Sequence, residues 1–289
     1  MVGRKVCLVR GPWRVCLGVD NRIVGETTLN FLKLIKPIKV EALCAMDQIV
    51  EIAPVQKTMK FKPQWFKSLP QYKQRPPVNF FDENDTTAKH KHMPNMRGCI
   101  GLTGLMSKGF ILPMWCDLQM RVPESKDVIG WAGEKAREGV FPADQRTQVE
   151  PHHYAQYNGA FPMDLWYHTK IISPWLFRCK EEIEFAWIDP LWFRPESMAY
   201  YSLLPATLNY KYQTTTNINI MMRKYDKESA FYIAFQQPMV QVIPLSERDV
   251  SLKVEAISDK EFSRIAQLSA NFTFGKKYQT LKRILKGKK

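Results

Sequence analysis

The chain has 289 residues, of which 45% are hydrophobic and 12% aromatic, so its composition excludes an intrinsically disordered protein. Its 42 basic and 28 acidic residues give a formal charge of +14. The length suffices for one large domain or two ordinary domains with a hydrophobic core. The sequence has no apolar run of roughly 18 residues, which argues against a membrane-spanning helix.

The positive charge lies at the two ends of the sequence. Residues 1–58 hold nine basic and five acidic residues, and residues 59–97 hold eight and three. Residues 276–289 hold seven basic residues and no acidic one, whereas residues 98–275 hold 18 basic and 20 acidic residues. A domain that binds duplex phosphates usually carries its basic stripe on the folded body. This distribution therefore argues against nucleic-acid binding by the body.

The N-terminal segment, residues 1–58, shows no clear hydrophobic period and no signal peptide. Its apolar piece Val6–Val9 is interrupted by Arg10, whereas a signal sequence needs a continuous apolar stretch. The composition changes at Met59, and we expect Met59 to be the natural start and residues 1–58 to be a weakly folded extension or a gene-calling artefact. The six cysteines form no Cys-x-x-Cys pair, which favours reduced thiols in a cytoplasmic protein.

Residues 59–97 are rich in proline and charge and predict an extended arm or a wrapping loop. Their prolines cannot lie inside helices or central strands. The aromatic residues of the arm are expected to anchor it on the body: Trp65, Phe66, Tyr72, Phe80 and Phe81. The next segment, residues 99–112, places glycines between apolar residues and predicts a short helix or a buried turn.

Alternating apolar and polar residues predict a series of short strands within residues 98–275, the expected core domain. The predicted strands are Met114–Val122, Ile183–Ile188, Thr214–Met222, Phe231–Phe235, Met239–Ile243 and Val250–Ile257. Prolines punctuate these segments, as is typical of antiparallel strands joined by turns. The pattern predicts a mainly β fold, an antiparallel sandwich or barrel-like sheet, rather than a parallel α/β sheet.

Helices are expected only at the periphery of the fold. Trp131–Glu138 is one candidate. A second begins after Ser258, because Ser258 and Glu261 have the spacing of a capping box and apolar residues follow them at helical spacing.

The C-terminal tail, residues 276–289, predicts a short basic amphipathic helix. Its basic residues are candidates for contact with nucleic acid or another anionic surface: Lys276, Lys277, Lys282, Arg283 and Lys286. The alternative is a solvated terminal helix that keeps the protein in solution.

Histidines provide the candidate metal ligands. His90 and His92 form a His-x-His pair that suits a metal inside a small barrel, and His152, His153 and Asp164 lie close together further along the chain. The glutamate that a barrel site needs soon after such a pair is absent. The alternatives are a solvated loop for the first pair and ordinary hydrogen bonding for the second group. The sequence indicates no particular cofactor.

Four tryptophans and two arginines form the most unusual cluster in the sequence. Its members are Trp166, Trp175, Arg178, Trp187, Trp192 and Arg194. Such side chains line a ligand pocket or stack at a partner surface. The alternative is a packed sandwich core with tryptophan at its rim.

Several short segments from Met59 onward resemble a known family. They are Lys73–Phe81, His92–Pro94, Cys99 with Met106 and Gly109–Ile111, Ile172–Trp175, and Met239–Pro244. In these segments the chain is similar to proteins of unassigned activity encoded by tailed phages of marine bacteria. The resemblance implies a β-rich fold and supplies no catalytic residues. Where the family carries proline and glycine before the last of these segments, this chain has Phe235-Gln236-Gln237-Pro238.

These observations favour a non-enzymatic binding or virion-associated module of phage origin. Its expected location is the host cytoplasm or the virion, and its expected partners are other phage proteins or copies of itself. The first alternative is a metal-dependent small-molecule enzyme with a barrel site. The second is nucleic-acid binding through the basic tail.

Overall fold

The computed structural model describes most of the chain. The described residues are 7–10, 13–16, 36–69, 72–74, 92–94, 96–122, 130–133, 149–152, 165–224 and 229–270. In this part the fold is mainly β, with sheets that are largely antiparallel and four α-helices. The described strands close no barrel. The predicted fold class, with sandwich-like sheets, is confirmed.

The strands and helices are numbered in chain order. The first nine strands are β1 (Cys7–Arg10), β2 (Trp13–Cys16), β3 (Ile38–Cys44), β4 (Gln56–Lys57), β5 (Tyr72–Gln74), β6 (His92–Pro94), β7 (Phe110–Pro113), β8 (Leu118–Val122) and β9 (Gly130–Gly133). The other nine are β10 (Val149–Pro151), β11 (Trp166–Cys179), β12 (Phe185–Ile188), β13 (Tyr201–Leu203), β14 (Ala206–Leu208), β15 (Thr215–Arg223), β16 (Ser229–Ile233), β17 (Pro238–Pro244) and β18 (Val250–Ala256). The helices are α1 (Asp47–Ile52), α2 (Gln64–Ser68), α3 (Ile100–Leu105) and α4 (Asp259–Ala270).

The larger sheet has six strands. Five of them lie side by side in the order β13-β15-β11-β3-β18, and β10 pairs with β11. β3 runs antiparallel to β11 and parallel to β18, whose Val250 lies opposite Ile38. This parallel pair departs from the antiparallel arrangement that the sequence predicts. β18 lies beside β3 although nearly all the other strands come between them in the sequence.

β11 is a long strand in a segment where the sequence predicts none. Its first half pairs with β15 and its second half with β3, and the register shifts between Ile172 and Leu176. Pro174 lies inside this irregularity, where a residue without an N–H is tolerated. The hydroxyl of Ser173 accepts a hydrogen bond from the backbone N–H of Trp175 (3.2 Å). A bulge thus accommodates Pro174. Because proline is unusual inside a strand, the sequence pattern did not predict β11.

A second sheet of five strands packs against the first. Its order is β14-β12-β17-β7-β4, and its inner face meets the six-stranded sheet in one continuous hydrophobic core. Phe177 of β11 contacts Phe110 of β7, with ring centroids 5.5 Å apart. This contact joins the centres of the two sheets.

A three-stranded sheet, in the order β16-β8-β9, corrects one helix prediction. Trp131 lies in β9 and pairs in register with Met120 of β8. Aromatic residues suit such a pairing, and the backbone is therefore extended. The predicted helix at Trp131–Glu138 is wrong for residues 131–133, and residues 134–138 lie outside the described part.

Helix α4 confirms the helix predicted after Ser258. The backbone N–H of Glu261 donates to the Ser258 hydroxyl oxygen (3.3 Å), as the capping-box spacing predicts. Ile265 is buried on the outer face of the six-stranded sheet, where it packs with Leu43 and Leu176. The helix thereby covers one half of that face.

The predicted arm folds against the body at its start. Phe66 of α2 is buried in a small cluster with Leu102 of α3, and the indole N–H of Trp65 donates to the Trp192 carbonyl (3.2 Å). Anchoring through Trp65 and Phe66 is therefore confirmed. The other expected anchors lie outside the side chains that the structure describes: Tyr72, Phe80 and Phe81.

Residues 36–58 belong to the core, which contradicts the expected extension for this part of residues 1–58. Ile38, Val40 and Ala42 are fully buried between the sheets, and β3 lies between two other strands. The alternation of β3 is broken by Leu43, which is buried on the outer face under α4. Because β3 is buried on both faces at its end, its apolar and polar residues do not alternate along the whole strand. The sequence pattern therefore did not predict β3.

Two positions have a backbone with positive φ. Gly109 has φ of 75°, and a Cβ placed there would lie 1.9 Å from the carbonyl oxygen of Val242. Gln236 has φ of 63° in the turn before β17. Its side-chain amide donates to the Ile52 carbonyl (2.7 Å), which ties this turn to α1.

Replacing Gly109 with alanine is expected to destabilise the protein by at least about 2 kcal/mol, because the methyl group clashes with backbone atoms and φ is unfavourable. The control is Gly101→Ala in α3, where nothing lies within 4 Å of the added Cβ and alanine favours the helix by up to about 1 kcal/mol. Urea unfolding of both variants measures the difference. Equal stabilities would contradict this account of Gly109.

A chain that begins at Met59 is expected not to fold, because it lacks β3 and leaves β11 and β18 without the strand between them. Far- and near-ultraviolet circular dichroism of this chain and of the full chain measures the effect. The expected result is loss of the near-ultraviolet signal and aggregation through the exposed strand edges. A truncated chain with the native spectrum and cooperative unfolding would show that β3 is dispensable.

Candidate functional site

Three residues of the predicted aromatic surface lie in the interior. Trp175 is 0% exposed, Trp187 is 3% exposed and Arg194 is 1% exposed. Side chains buried to this degree cannot contact a partner at the surface. Their interpretation as a ligand or partner surface is therefore wrong, and the alternative of a packed core describes them.

The buried rings form a stack that spans the two sheets. The ring of Phe177 contacts Trp187 edge-on at 6.2 Å and stacks with Tyr210 at 5.1 Å, and Tyr210 in turn stacks with Phe185 at 4.5 Å. The indole N–H of Trp187 donates to the Tyr210 hydroxyl (2.5 Å). Burial raises the pKa of Tyr210 well above its usual value, so this phenol stays neutral and serves the core.

The other members of the cluster reach the surface at separate places. Trp192 is 43% exposed and contacts Trp65, whereas Trp166 is half-buried at the first residue of β11. Arg178 lies further along β11 and forms an ion pair with Glu41 of β3. The structure does not bring the six predicted residues together in one pocket.

Arg194 is the centre of a buried polar network. One of its terminal nitrogens donates to Asp189 (2.5 Å), the other donates to the Ser197 hydroxyl, and its guanidinium lies 4.5 Å from the centre of the Tyr201 ring. Asp189 also accepts from the backbone N–H of Leu203 (2.6 Å). Burial raises the pKa of Asp189, and the Arg194 charge opposes that shift. The pair fixes the segment between β12 and β13 and leaves neither charge for an external ligand.

The predicted metal ligands do not converge in the part of the chain that the structure describes. No three histidine, cysteine or carboxylate side chains among the described residues are placed to hold a metal ion. His92 lies in β6, which pairs with β5. His90, His153 and Asp164 lie outside the described residues, and their role stays a prediction.

His152 stacks face to face on His168, with ring centroids 4.2 Å apart and planes 2° apart. The nitrogen lone pairs lie in the ring planes, so two parallel stacked imidazoles do not point at a common ion between them. His168 is 8% exposed. Burial, with a smaller contribution from His152, lowers the pKa of His168 to about 4, so the His168 ring is neutral near pH 7.

The floor of a large groove lies on the outer face of the six-stranded sheet. Arg178 of β11 and Lys253 of β18 both lie opposite Glu41 of β3, so the three side chains form a row across three strands. Lys39 projects from the same face, two residues before Glu41 along β3. Helix α4 covers the other half of this face through Leu43, which leaves this half open.

Arg248 builds the rim of the groove. Its guanidinium makes a two-pronged ion pair with the Glu181 carboxylate (2.5 and 3.0 Å), and its Nε donates to the Lys36 carbonyl (2.7 Å). Such bidentate pairs hold their geometry well. Arg248 thereby fixes the start of β3 beside the end of β11.

The groove has a volume of about 840 Å³ and carries an excess of positive charge. Six basic and two acidic side chains line it: Lys36, Lys39, Arg178, Lys180, Arg248 and Lys253, with Glu41 and Glu181. The two arginines occupy both carboxylates, and Lys253 pairs with Glu255 outside the groove. Lys36, Lys39 and Lys180 have no ion pair among the described residues, and their charges face solvent.

The sequence does not predict this groove, because the residues that line it come from distant segments of the chain. The formal charge of residues 98–275 is near zero, yet β11 and β18 place basic side chains beside those of β3. The alternation of Ser251, Lys253 and Glu255 was the available signal, since it shows a solvent face on β18. The predicted tail residues, Lys276, Lys277, Lys282, Arg283 and Lys286, lie outside the described part.

Comparison with protein-family models, with curated proteins and with solved structures finds no match to this chain. In the described part, no helix has the length and hydropathy to cross a membrane.

His168 is expected to make folding pH-dependent. Its pKa is 6.5 in the unfolded chain and about 4 in the folded protein, so the unfolded state binds a proton first as the pH falls. Stability contributed by the neutral ring is complete above pH 6.5 and is lost between about pH 6.5 and 4, by about 3 kcal/mol. Urea unfolding at several pH values should show a shallower loss for His168→Gln than for the natural protein. Parallel pH profiles would contradict the buried neutral state of His168.

Proposed function

We propose that the protein is a non-enzymatic binding protein that holds nucleic acid by its phosphate backbone in the basic groove. The observation that carries this proposal is the excess of basic side chains lining the groove, where both lining carboxylates are already paired to arginine. Lysine contacts to phosphates release condensed counterions, which supplies most of the affinity of sequence-independent binding.

The shape and exposure of the groove favour a polymer over a small molecule. Small-molecule pockets are mostly apolar and enclose their ligands, whereas this groove is walled by charged side chains of which Lys253 is 64% exposed and Arg178 is 39% exposed. Its floor crosses three strands, a width of about 10 Å. A phosphate chain can lie along such a floor and contact several lysines in turn.

The two arginine–glutamate ion pairs fix the shape of the groove and contribute little net charge to it. Arg248 and Glu181 hold the rim in place, and Arg178 with Glu41 forms the centre of the floor. Because each pair is close to neutral, the net attraction comes from Lys36, Lys39 and Lys180. The total charge of +14 adds a long-range attraction for polyanions.

The phage origin that the family resemblance implies stays a prediction, as does the virion association. A nucleic-acid-binding role is compatible with both expected locations, the host cytoplasm and the virion. The basic tail, residues 276–289, is a competing site on the same chain, and the experiment has to separate the two.

Fluorescence anisotropy with a labelled single-stranded oligonucleotide, and with a duplex of the same length, measures binding at several salt concentrations. The natural protein is expected to bind with a dissociation constant of about 10⁻⁴–10⁻⁶ M near physiological salt. Replacing Lys36, Lys39 and Lys180 together with glutamine is expected to weaken binding about tenfold. The salt slope should also fall by about 2, since each single-strand phosphate contact contributes about 0.7.

The matched control replaces three exposed lysines outside the groove, Lys57, Lys60 and Lys67, with glutamine. It removes the same charge and is expected to change the affinity by less than about twofold. A second variant lacks residues 276–289. Loss of binding in that variant, with an unchanged affinity in the groove variant, would place the site on the tail and overturn the proposal.

A further inference from the structure

A small cleft lies at the opposite edge of the six-stranded sheet from the groove. It is formed where β13 and the 3₁₀ turn Pro195–Ala199 meet β16, and its volume is about 220 Å³. Its principal walls are four aromatic side chains and one carboxylate: Tyr200, Tyr201, Phe231, Tyr232 and Glu196. This size suits a single head group rather than a polymer.

Aromatic side chains form most of the wall of the cleft. The ring of Phe231 stacks with Tyr201 at 5.3 Å and lies within 6.2 Å of Tyr200 with nearly parallel planes. Tyr200 is 43% exposed, so part of its ring is accessible to a ligand, whereas Phe231 is 7% exposed. The face of an aromatic ring is electron-rich and attracts a cation.

The charge of the cleft has the opposite sign to that of the groove. Glu196 is exposed at its rim, and no lysine or arginine is among the described residues that line it. The amide of Gln237 is already engaged, since its nitrogen donates to the Tyr201 hydroxyl (2.9 Å) and its oxygen accepts from the N–H of Ala234 (3.0 Å). The ring faces and the Glu196 carboxylate are therefore the main groups that meet a ligand.

One of the aromatic rings of the cleft already contacts a cation of the protein. The buried Arg194 guanidinium lies 4.5 Å from the centre of the Tyr201 ring, with its charge balanced by Asp189. Burial raises the pKa of Tyr201 to about 12, so the phenol brings no charge of its own to the cleft. A second cation on the cleft side would be balanced by Glu196 in the same way.

We propose that this cleft binds an organic cation, an ammonium or guanidinium head group, against the exposed ring of Tyr200 with Glu196 as its counter-charge. The head group can belong to a basic side chain of a partner polypeptide or to a small quaternary amine. This site is independent of the groove, and either proposal can fail without the other.

Titration of the isotope-labelled full chain by NMR tests the cleft, with tetramethylammonium chloride and N-acetyl-arginine amide as the probes and sodium chloride at equal ionic strength as the blank. Saturable shifts are expected at the backbone amides of Ala230, Tyr232 and Gln237, with millimolar affinity. Tighter binding of the arginine probe would indicate a polypeptide side chain as the source. Tighter binding of tetramethylammonium would indicate a small quaternary amine.

Glu196→Gln and Tyr200→Ala are each expected to weaken binding by about three- to tenfold. Both positions are exposed, and circular dichroism checks that the variants fold. The control Glu247→Gln, at an exposed carboxylate outside the cleft lining, should bind as the natural protein does. Absence of saturable shifts up to roughly 0.1 M of either probe would overturn the proposal. Binding that Glu196→Gln leaves unchanged would also overturn it.

Discussion

The two-residue alternation of side chains along β3 is the constraint on which the rest of the structure depends. On one face, Ile38, Val40 and Ala42 fill the core between the two sheets. On the other face, Lys39 and Glu41 form the floor of the groove. Because one strand supplies both, the core and the candidate site cannot be separated, and a change of register by one residue would exchange them. Pairing with β11 on one side and β18 on the other fixes that register.

The aromatic residues and the charged residues have separate tasks in this fold. The stack through Phe177 and Tyr210 joins the sheets and is closed to ligands. Arg194 forms a buried ion pair with Asp189. Charge available to a partner is therefore found outside the core. It is sorted by sign, with free lysines such as Lys180 at one edge of the large sheet and Glu196 at the other.

Sequence patterns predicted β15, β17 and β18 within one residue of their bounds. The capping-box spacing also predicted where α4 begins. β11 and β3 were missed because Pro174 interrupts one and α4 buries the outer end of the other. The aromatic cluster was visible in the sequence, but composition alone does not separate a core from a surface. The groove could not be predicted, because its charges meet only through long-range strand pairing.

The central proposal for this protein is that nucleic acid binds in the groove. Mapping the amide signals of the isotope-labelled full chain on addition of a short oligonucleotide measures this directly. The account predicts perturbations along one sheet face, at Lys39, Glu41, Lys180 and Lys253, with little change at the cleft around Tyr200. Perturbations confined to residues 276–289, or none at all at low salt, would contradict it.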